Sequence, residues 1–463
     1  MLTLYNSLTK KEEEFHPQTD TVGFYFCGPT VYWTQHIGNM RAFFVMDSIR
    51  RVIKFNGYKI NHVMNITDVG HMTSDEDEGD DKIELTAKKE NKSPEEVANY
   101  YWDLCYKDIK KLNIETPEHI VKATSVIDEI IEFIKTLIKN GFAYETQKGV
   151  YYDISKFKDY GQLGGMNLND KLAGARIAVD DFKRNPLDFT LWVKAAENHI
   201  MKWQSPWGLG YPGWHIECSA IGRKFLGNNI DIHGGGVEHK TVHHENEIAQ
   251  NFGVCGTQVV KYWVHLEHLM MDGKKMSKSL KNIESVSSII EKGYSPLSLR
   301  YLYLTAHYSK QQNFTFESLA SCETALQKIW NATVENKNGK DLVDESQIKT
   351  ICKNFENAVN SNLNFPLALS YVWELLKIKN KSKQIYNALL FFDNALGLDL
   401  KNAELHLSEN KCLIPADITE LALKRWQAKD EKNWALADKY RKEIDDKGFT
   451  ILDKKSGYDI LKK

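Results

Sequence analysis

The first part of the chain is patterned as strand, helix and strand. Residues 22–26 form a strand-like apolar run, and residues 59–67 again favour a strand. Between them apolar residues recur at helical spacing, and Gly57 is placed to end that helix. These apolar residues are Ala42, Met46, Ile49 and Ile53. The order predicts an α/β fold with a parallel sheet, whose ligands lie at the carboxyl ends of the strands.

The pattern changes several times along the rest of the chain. Residues 93–140 predict helices, residues 142–205 short strands with glycine turns, and residues 229–271 a return to sheet. The segment 142–205 is therefore predicted to be an insertion into the first domain. Beyond about residue 310 the pattern is mostly amphipathic helix, and a Lys-rich segment closes the chain from about 415.

Length and composition narrow the class of protein. With 463 residues the chain is too long for one hydrophobic core, so two to four domains are expected. Hydrophobic residues at 42% and charged residues at 26% are ordinary for a soluble globular protein. No apolar run is long enough to cross a bilayer, and residues 1–6 lack a signal-peptide pattern. We therefore expect no membrane partner and a cytoplasmic location.

Charge and cysteine content bear on the chemistry. The net charge of -2 does not indicate nucleic-acid binding, but it is compatible with a local basic face. Seven cysteines without framework spacing favour free thiols or metal ligands over structural disulfides. The acidic run 74–81 predicts a solvated loop.

Two motifs carry candidate phosphate chemistry. Residues 36–39 (His-Ile-Gly-Asn) follow the first strand, where a glycine and a helix N-terminus favour phosphate binding. Taken alone, they also fit a histidine at an ordinary helix start. Residues 275–279 (Lys-Met-Ser-Lys-Ser) follow an Asp-Gly turn and predict a basic loop suited to a triphosphate. A solvated Lys-rich loop is the alternative there.

Three downstream motifs supply a glycine turn and possible metal ligands. Residues 231–236 (Asp-Ile-His-Gly-Gly-Gly) permit close approach of a flat ligand such as adenine, or form a plain turn. His243 and Glu247 lie four apart, as a metal-binding pair or as a surface pair of one helix. Cys218 follows Gly-Trp-His-Ile-Glu and also fits a buried core thiol. Together with Cys27, these residues offer two thiols, an imidazole and a carboxylate, which suit zinc better than magnesium.

In their order and approximate spacing, these motifs resemble the cysteinyl-tRNA synthetases, a family of class I aminoacyl-tRNA synthetases. The resemblance runs nearly end to end. Its segments are 25–32 (Tyr-Phe-Cys-Gly-Pro-Thr-Val-Tyr), 65–68 (Asn-Ile-Thr-Asp), 213–219, the glycine turn after His233, 243–250 and 275–279. It implies ATP-dependent ligation of L-cysteine to its cognate tRNA through a cysteinyl-adenylate.

The resemblance also implies roles for individual residues. One zinc ion per chain, which selects the cysteine thiolate over serine, would be bound by Cys27, Cys218, His243 and Glu247. The cysteine pocket would be shaped by Gly28, Thr67 and Trp214, with Trp214 as a lid. The residues acting on the phosphates would be His36, Lys275 and Lys278. ATP, with its Mg²⁺, would be bound by His36, Gly38, Asn39, His233, Gly234, Gly235 and Lys278.

The C-terminal segment matches the part of the family that binds the anticodon. Trp434, Asp438 and Asp453 fall at its reading positions, where an aromatic ring stacks on bases and carboxylates accept from them. Neighbouring basic residues, Arg425 among them, are expected at the phosphates. The alternative is Trp434 in a core beside a solvated face. We expect a monomer whose partners are tRNA(Cys), L-cysteine and ATP.

Two positions depart from the family pattern. Asn39 replaces the second histidine of the usual His-Ile-Gly-His; it still donates a hydrogen bond but carries no charge. The residues before His243 differ from the usual apolar run and leave His239 and His244 as rival metal ligands.

We predict a Rossmann-like parallel-sheet catalytic domain with an inserted subdomain, followed by an α-helical bundle and a small C-terminal anticodon-binding module. The predicted boundaries are 1–115 and 206–258 for the two halves of the catalytic domain, 116–205 for the inserted connective subdomain, 259–310 for the Lys-Met-Ser-Lys-Ser loop and stem-contact region, 311–410 for the tRNA-binding bundle and 411–463 for the anticodon-binding module.

Two rival functions would use the same core. A ligase that joins cysteine to an amino sugar would keep the zinc and phosphate motifs, but it would not need the helices after residue 310 or the Trp434 segment. A non-catalytic RNA-binding relative should lack a loop lysine or a zinc ligand, and none is missing. Both rivals are therefore disfavoured.

Overall fold

The computed structural model describes residues 1–70, 81–165, 182–276, 282–412, 416–454 and 457–462. The strands are β1 (Thr3–Asn6), β2 (Lys11–Glu14), β3 (Thr21–Phe26), β4 (Lys59–Ile66), β5 (His119–Lys122), β6 (Ala143–Glu145), β7 (Gly149–Tyr152), β8 (Phe189–Lys194), β9 (Gly210–Pro212), β10 (Ile230–Gly236), β11 (Val260–Leu266), β12 (Leu269–Met271), β13 (Lys274–Lys275), β14 (Gln312–Phe314), β15 (Phe449–Lys454) and β16 (Gly457–Lys462).

The α-helices are α1 (Ile37–Phe55), α2 (Lys82–Glu90), α3 (Pro94–Lys111), α4 (Ile127–Lys139), α5 (Ile216–Leu226), α6 (His243–Cys255), α7 (Val286–Glu291), α8 (Pro296–Leu304), α9 (Phe316–Lys337), α10 (Glu345–Asn360), α11 (Phe365–Leu376), α12 (Lys383–Leu396), α13 (Ala403–Cys412), α14 (Ala416–Asp430) and α15 (Trp434–Asp446).

Five parallel strands form the central sheet, in the order β11–β10–β3–β4–β5. β3 is buried from Val22 to Phe26, as expected of a parallel strand covered on both faces. The chain passes from β3 to β4 on one side and later adds β10 on the other, so the winding reverses between β3 and β10. Ligands of such sheets bind at the carboxyl ends of the strands beside this switch point. The predicted α/β fold with a parallel sheet is confirmed.

A second sheet is antiparallel, in the order β6–β7–β8–β9, and lies between β5 and α5 in the sequence. β6 to β8 lie within residues 142–205, where the pattern predicted short strands and glycine turns, whereas β9 lies beyond that segment. β5 pairs in parallel with β4, although its residues fall within the predicted insertion 116–205. A strand of 4 residues is too short to give a periodic signal, so the pattern did not separate β5 from its surroundings.

Helices α9 to α13 share one apolar core with α1 and the parallel sheet. A buried ion network joins them. Asp47 of α1 accepts from Arg51 Nε at 2.7 Å and from Arg300 Nη2 of α8 at 2.6 Å. Arg300 also donates to the Leu396 carbonyl of α12 at 2.8 Å. Because buried charges are costly unless paired, this network fixes α1 against α8 and α12.

Residues 416–462 bury a small core of their own. Helices α14 and α15 and the β15–β16 hairpin bury Ile418, Ala422, Ile444, Phe449 and Ile451. Among the helices of the described ranges, none is both long enough and apolar enough to span a membrane.

Candidate functional site

Four possible metal ligands lie together at the carboxyl end of the parallel sheet. Cys27 follows β3, Cys218 lies in the first turn of α5, and His243 and Glu247 are one turn apart on α6. The ligand atoms of these residues all lie within 4.8 Å of one another. Each of the four side chains is 9% exposed or less. The structure therefore brings together the residues that the sequence named as ligands.

The spacing of these atoms fits a tetrahedral metal site. Cys27 Sγ lies 3.9 Å from Cys218 Sγ, and Cys218 Sγ lies 3.4 Å from His243 Nε2. Glu247 Oε1 lies 3.2 Å from His243 Nε2 and 3.9 Å from Cys27 Sγ. With ordinary zinc–ligand bonds, the ligand atoms of a tetrahedral site are roughly 3.3–3.8 Å apart. Two thiols, an imidazole and a carboxylate also form a donor set that zinc accepts.

His244 and His233 form an overlapping group with Cys27 and Glu247. His244 Nε2 lies 3.2 Å from Cys27 Sγ and 3.9 Å from Glu247 Oε1. His233 Nε2 lies only 2.8 Å from Glu247 Oε2, which is a hydrogen-bond distance and too short for two ligands of one metal. His239 belongs to neither group of the described residues. The group with Cys218 and His243 therefore fits a metal better.

Contacts behind the ligands favour metal binding. Nδ1 of His243 lies 2.9 Å from Nδ1 of His215, and such contacts orient a ligating ring. Burial raises the pKa of the Cys27 thiol. The hydrogen bond with Cys218 and the nearby imidazoles outweigh burial and bring that pKa well below its ordinary value. A low pKa favours the thiolate, which is the form that binds a metal.

A cavity of about 610 Å³ opens beside the four ligands. Its wall includes Cys27, His243 and His36, so the candidate metal and phosphate sites share one cavity. The wall also includes the predicted pocket residues Gly28, Thr67 and Trp214. The ring centroid of Trp214 lies 4.6 Å from that of His243. This volume is ordinary for a small-molecule site.

Glu217 also lines the cavity, and sequence reasoning did not single it out. It is 2% exposed, accepts a hydrogen bond from the Thr67 hydroxyl and lies 3.4 Å from Asn65 Nδ2. Asn65 donates from Nδ2 to Thr67 Oγ1 at 3.0 Å and accepts from the Gly28 N–H at 2.7 Å. Burial raises the pKa of Glu217 to about 8. The sequence signal that could have identified Glu217 is its position directly before Cys218.

His36 and Asn39 cap the N-terminus of α1 together. The Asn39 N–H donates to His36 Nδ1, and the His36 N–H donates to Asn39 Oδ1, each at 3.2 Å. Because Nδ1 accepts, the neutral ring of His36 carries its proton on Nε2. Burial lowers the pKa of His36 to about 4, so the ring is neutral at pH 7. The contacts of both residues with ATP remain predictions.

At two positions beside the cavity, a side chain larger than that of glycine would come too close to neighbouring atoms. A Cβ at Gly28 would lie 1.8 Å from the Asn65 carbonyl oxygen. A Cβ at Gly38 would lie 2.9 Å from His36 Nδ1 and 3.2 Å from Met276 Cε. Met276 is buried and belongs to the run 275–279. The start of the predicted basic loop therefore packs beside residues 36–39.

The other residues predicted to bind ATP occupy different positions. His233, Gly234 and Gly235 are buried in β10, and the His233 side chain pairs with Glu247. Lys275 is exposed in β13 and lines the cavity. Lys278 lies outside the described residues. Their roles toward ATP remain predictions.

The predicted anticodon residues differ in exposure and pairing. Trp434 is the first residue of α15 and is 59% exposed, and Asp438 is exposed one turn later. Asp453 accepts two hydrogen bonds from Arg425, at 2.8 and 3.0 Å. Arg425 is 3% exposed. It therefore does not face solvent, whereas a residue that binds a tRNA phosphate would. Anticodon reading by Trp434, Asp438 and Asp453 remains a prediction.

Comparison with known families adds to this geometry. The family model "tRNA synthetases class I (C) catalytic domain" matches residues 14–324. A protein named Cysteine--tRNA ligase, from Treponema denticola, is 41% identical over 100% of this chain and 99% of its own length. The chain belongs to the class I cysteinyl-tRNA synthetase family. It is therefore an enzyme of the ligase class, and the family predicted from the sequence is confirmed.

Other comparisons agree with this membership. The Cysteine--tRNA ligase of Chlorobaculum tepidum is 38% identical over 100% of this chain and 99% of its own length. A methionyl-tRNA synthetase of Mycobacterium tuberculosis, in complex with methionyl-adenylate, superposes with a TM-score of 0.58 at 12% identity, over 83% of this chain and 91% of that one. A LeuRS–tRNA–LeuAMS complex from Agrobacterium radiobacter gives a TM-score of 0.60 at 12% identity, over 86% of each chain. These structural similarities show that this chain has the class I synthetase fold.

Proposed function

We propose that this enzyme activates L-cysteine with ATP to form cysteinyl-adenylate and then transfers the cysteinyl group to its tRNA. Charging of tRNA with cysteine is the activity that its full-length relatives support. The observation that carries the proposal is one shared cavity. Its wall holds two of the four candidate metal ligands, Cys27 and His243, together with His36 at the N-terminus of α1.

The proposed metal is zinc, bound by Cys27, Cys218, His243 and Glu247. Bound zinc would supply a site at which a thiolate is a strong ligand and a hydroxyl a poor one, so that serine is rejected. The distances between the four ligand atoms and their donor chemistry support this assignment. Gly28, Thr67 and Trp214 would enclose the rest of the amino acid, since all three line the same cavity.

Activation needs no protein nucleophile. The carboxylate of cysteine attacks the α-phosphorus of ATP, a bond to that phosphorus breaks, and pyrophosphate leaves with its Mg²⁺. The proposed role of His36 is to donate from Nε2–H to a phosphate oxygen, because its Nδ1 is occupied by the Asn39 N–H. Lys275 and Lys278 would stabilise the negative charge of the leaving pyrophosphate. The dipole at the N-terminus of α1, beside Gly38, favours the negative charge of a phosphate, and His233, Gly234 and Gly235 would lie beside the adenosine.

For the second step we propose that residues 416–462 bind the anticodon. The exposed ring of Trp434 supports stacking on an unpaired base. Asp438 and Asp453 would accept from base edges, and Asp453 would do so while paired with Arg425. A ribose hydroxyl at the 3′ end of the tRNA then takes the cysteinyl group and releases AMP. We expect the enzyme to act as a monomer.

The proposal is tested by ATP–pyrophosphate exchange and by aminoacylation of tRNA(Cys). We expect exchange that requires L-cysteine and proceeds without tRNA, and we expect charging of tRNA(Cys) when that tRNA is present. An amino-sugar acceptor should not replace the tRNA. Absence of cysteine-dependent exchange, or exchange without charging of the tRNA, would overturn the proposal.

A further inference from the structure

Glu217 is a buried carboxyl group that the reaction described above does not use. It lines the cavity and is 2% exposed. Its Oε1 accepts from the Thr67 hydroxyl and lies 3.4 Å from Asn65 Nδ2. Its Oε2 has no hydrogen-bond partner among the described residues. A buried polar atom without a partner is uncommon, and because Glu217 lines the cavity, a bound ligand is the candidate partner for this atom.

The hydrogen bonds around Glu217 fix which groups donate and which accept. A hydroxyl has one proton and two acceptor positions. Thr67 donates its proton to Glu217 and accepts from Asn65 Nδ2 at 3.0 Å, which leaves one acceptor position on Oγ1. Asn65 is held in place because its Oδ1 accepts from the Gly28 N–H at 2.7 Å. A cation beside Glu217 favours its ionised form, and the free positions of this group, on Thr67 Oγ1 and Glu217 Oε2, are then both acceptors.

The charges near Glu217 point to the same kind of ligand. None of the ion pairs formed by the described residues includes Glu217, whereas Asp68 and Cys27 add negative charge nearby and His243 adds positive charge. Glu217 lies in the first turn of α5, where the helix dipole favours a carboxylate. A buried carboxylate is costly unless a cation accompanies it. A cationic donor in the cavity would supply both the missing charge and the missing hydrogen bonds.

We propose that Glu217 and Thr67 bind the α-ammonium group of the amino-acid substrate. The inference rests on the proposed function, because it takes cysteine as the substrate. Glu217 directly precedes Cys218, a candidate metal ligand, and shares the cavity wall with Cys27. In cysteine the thiol and the amine are on neighbouring carbons. A cysteine whose sulfur lies at the four ligands would therefore present its ammonium group to the adjacent acceptors.

The inference is tested with Glu217→Gln, which keeps the size of the side chain and an oxygen to accept from Thr67 but removes the charge. A hydrogen bond to a charged group justifies an expected rise of about tenfold to hundredfold in the KM for L-cysteine in exchange. The KM for ATP and the zinc content should stay unchanged. Asp188→Asn is the matched control. It removes a carboxylate that is 1% exposed but is not among the residues lining this cavity, and should leave the KM for cysteine unchanged.

Two thiol inhibitors separate recognition of the amine from a structural effect. Cysteamine carries the thiol and the amine, and 3-mercaptopropionate carries the thiol and the carboxylate. We expect Glu217→Gln to weaken inhibition by cysteamine at least tenfold and to leave inhibition by 3-mercaptopropionate unchanged. Equal weakening of both inhibitors, or an unchanged KM for cysteine, would overturn the inference.

The unaltered enzyme provides an independent measurement in case Glu217→Gln does not fold. It should be inhibited more strongly by cysteamine than by 3-mercaptopropionate, and the reverse order would contradict recognition of the ammonium group. Loss of cysteine-dependent exchange in the unaltered enzyme would refute the proposed function itself. If the unaltered enzyme is active and the Glu217→Gln variant has an unchanged KM for cysteine, only this inference is refuted.

Discussion

His36 and Asn39 hold each other at the start of α1: the N–H of each residue donates to the side chain of the other, at 3.2 Å in both directions. The bond to His36 Nδ1 leaves Nε2 as the protonated nitrogen of the neutral ring. This arrangement explains how asparagine serves at a position where histidine is usual. The backbone N–H of Asn39 orients the ring that is proposed to contact a phosphate, and the Asn39 side chain fixes the His36 backbone by accepting from its N–H. Neither task needs a charge.

Asn39→Ala should therefore lower both stability and activity. Asn39→Ala keeps the backbone N–H that donates to His36 Nδ1 but removes the side chain that accepts from the His36 N–H. Loss of this half of the capping box should cost about 1 kcal/mol, and the loosened backbone at His36 should lower kcat for exchange about tenfold. Glu96→Ala is the matched control, since Glu96 holds the same position in the capping box of α3 and accepts from the Ser93 N–H at 2.8 Å. Thermal unfolding and exchange kinetics measure the two effects. An equal loss of kcat in both variants would contradict the role of Asn39.

Cys27→Ser should cost zinc and cysteine affinity together. A hydroxyl is a poor zinc ligand, so we expect a purified variant with less than about half of the zinc and a cysteine KM raised at least about tenfold. Cys105→Ser changes another buried thiol, which belongs to neither group of candidate ligands, and should retain its zinc. Metal analysis and exchange kinetics provide the measurement. A Cys27→Ser enzyme that keeps both properties would refute the role of Cys27 as a ligand.

The sequence predicted the local elements well where periodicity is long. α1 spans 19 residues and was evident from its apolar stripe, and the parallel pairing of the strands before and after it was predicted from the strand–helix–strand pattern. β5, with 4 residues, gave no such signal. The ligands Cys27 and Cys218 are distant in sequence, and only the resemblance to a family placed them together; the parallel pairing of β3 with β10 explains how they meet.

Side-chain partners were beyond what the sequence revealed. His233 was predicted at the adenosine, yet its Nε2 contacts Glu247, and Arg425 was expected at phosphates but pairs with Asp453. Glu217 was not singled out, because only the contact with Thr67 shows that its carboxyl group lies at the cavity. These pairings join residues that are 14, 28 and 150 positions apart, and no periodic pattern encodes which rotamer a side chain adopts.

Trp434→Ala should separate the two steps of the reaction. An exposed ring contributes little to stability but, as a stacking surface, contributes about 1–3 kcal/mol to nucleic-acid binding. We expect aminoacylation to weaken about tenfold or more through the KM for tRNA, while exchange stays unchanged. Leu423→Ala is a control in the same module, since Leu423 is 49% exposed. Equal losses in exchange and aminoacylation would contradict the proposed anticodon contact.

His62 should make stability depend on pH. Burial lowers its pKa to about 3, and neither ring nitrogen has a hydrogen-bond partner among the described residues. As the pH falls, His62 takes up a proton near pH 6.5 in the unfolded chain but only near pH 3 in the folded chain. The stability that depends on neutral His62 is therefore complete above pH 6.5 and is lost as the pH falls toward 3. Between pH 7 and pH 4 the free energy of unfolding of the unaltered enzyme should fall by roughly 3 kcal/mol more than that of the His62→Leu variant.

The pH series for His62 uses thermal unfolding of three proteins: the unaltered enzyme, His62→Leu and His16→Leu. The side chain of His16 is 66% exposed, so its replacement should not change the pH dependence. Parallel pH profiles for the unaltered enzyme and His62→Leu would show that His62 is not the titrating group.

We propose that cysteine is selected by a zinc ion bound to Cys27, Cys218, His243 and Glu247. The most direct measurement is metal content together with kcat/KM for L-cysteine and L-serine in pyrophosphate exchange by the same purified sample. We expect one zinc per chain and a preference for cysteine of at least about 1,000-fold that falls when the zinc is removed. An enzyme that contains no zinc at full activity, or that activates serine about as well as cysteine, would contradict it.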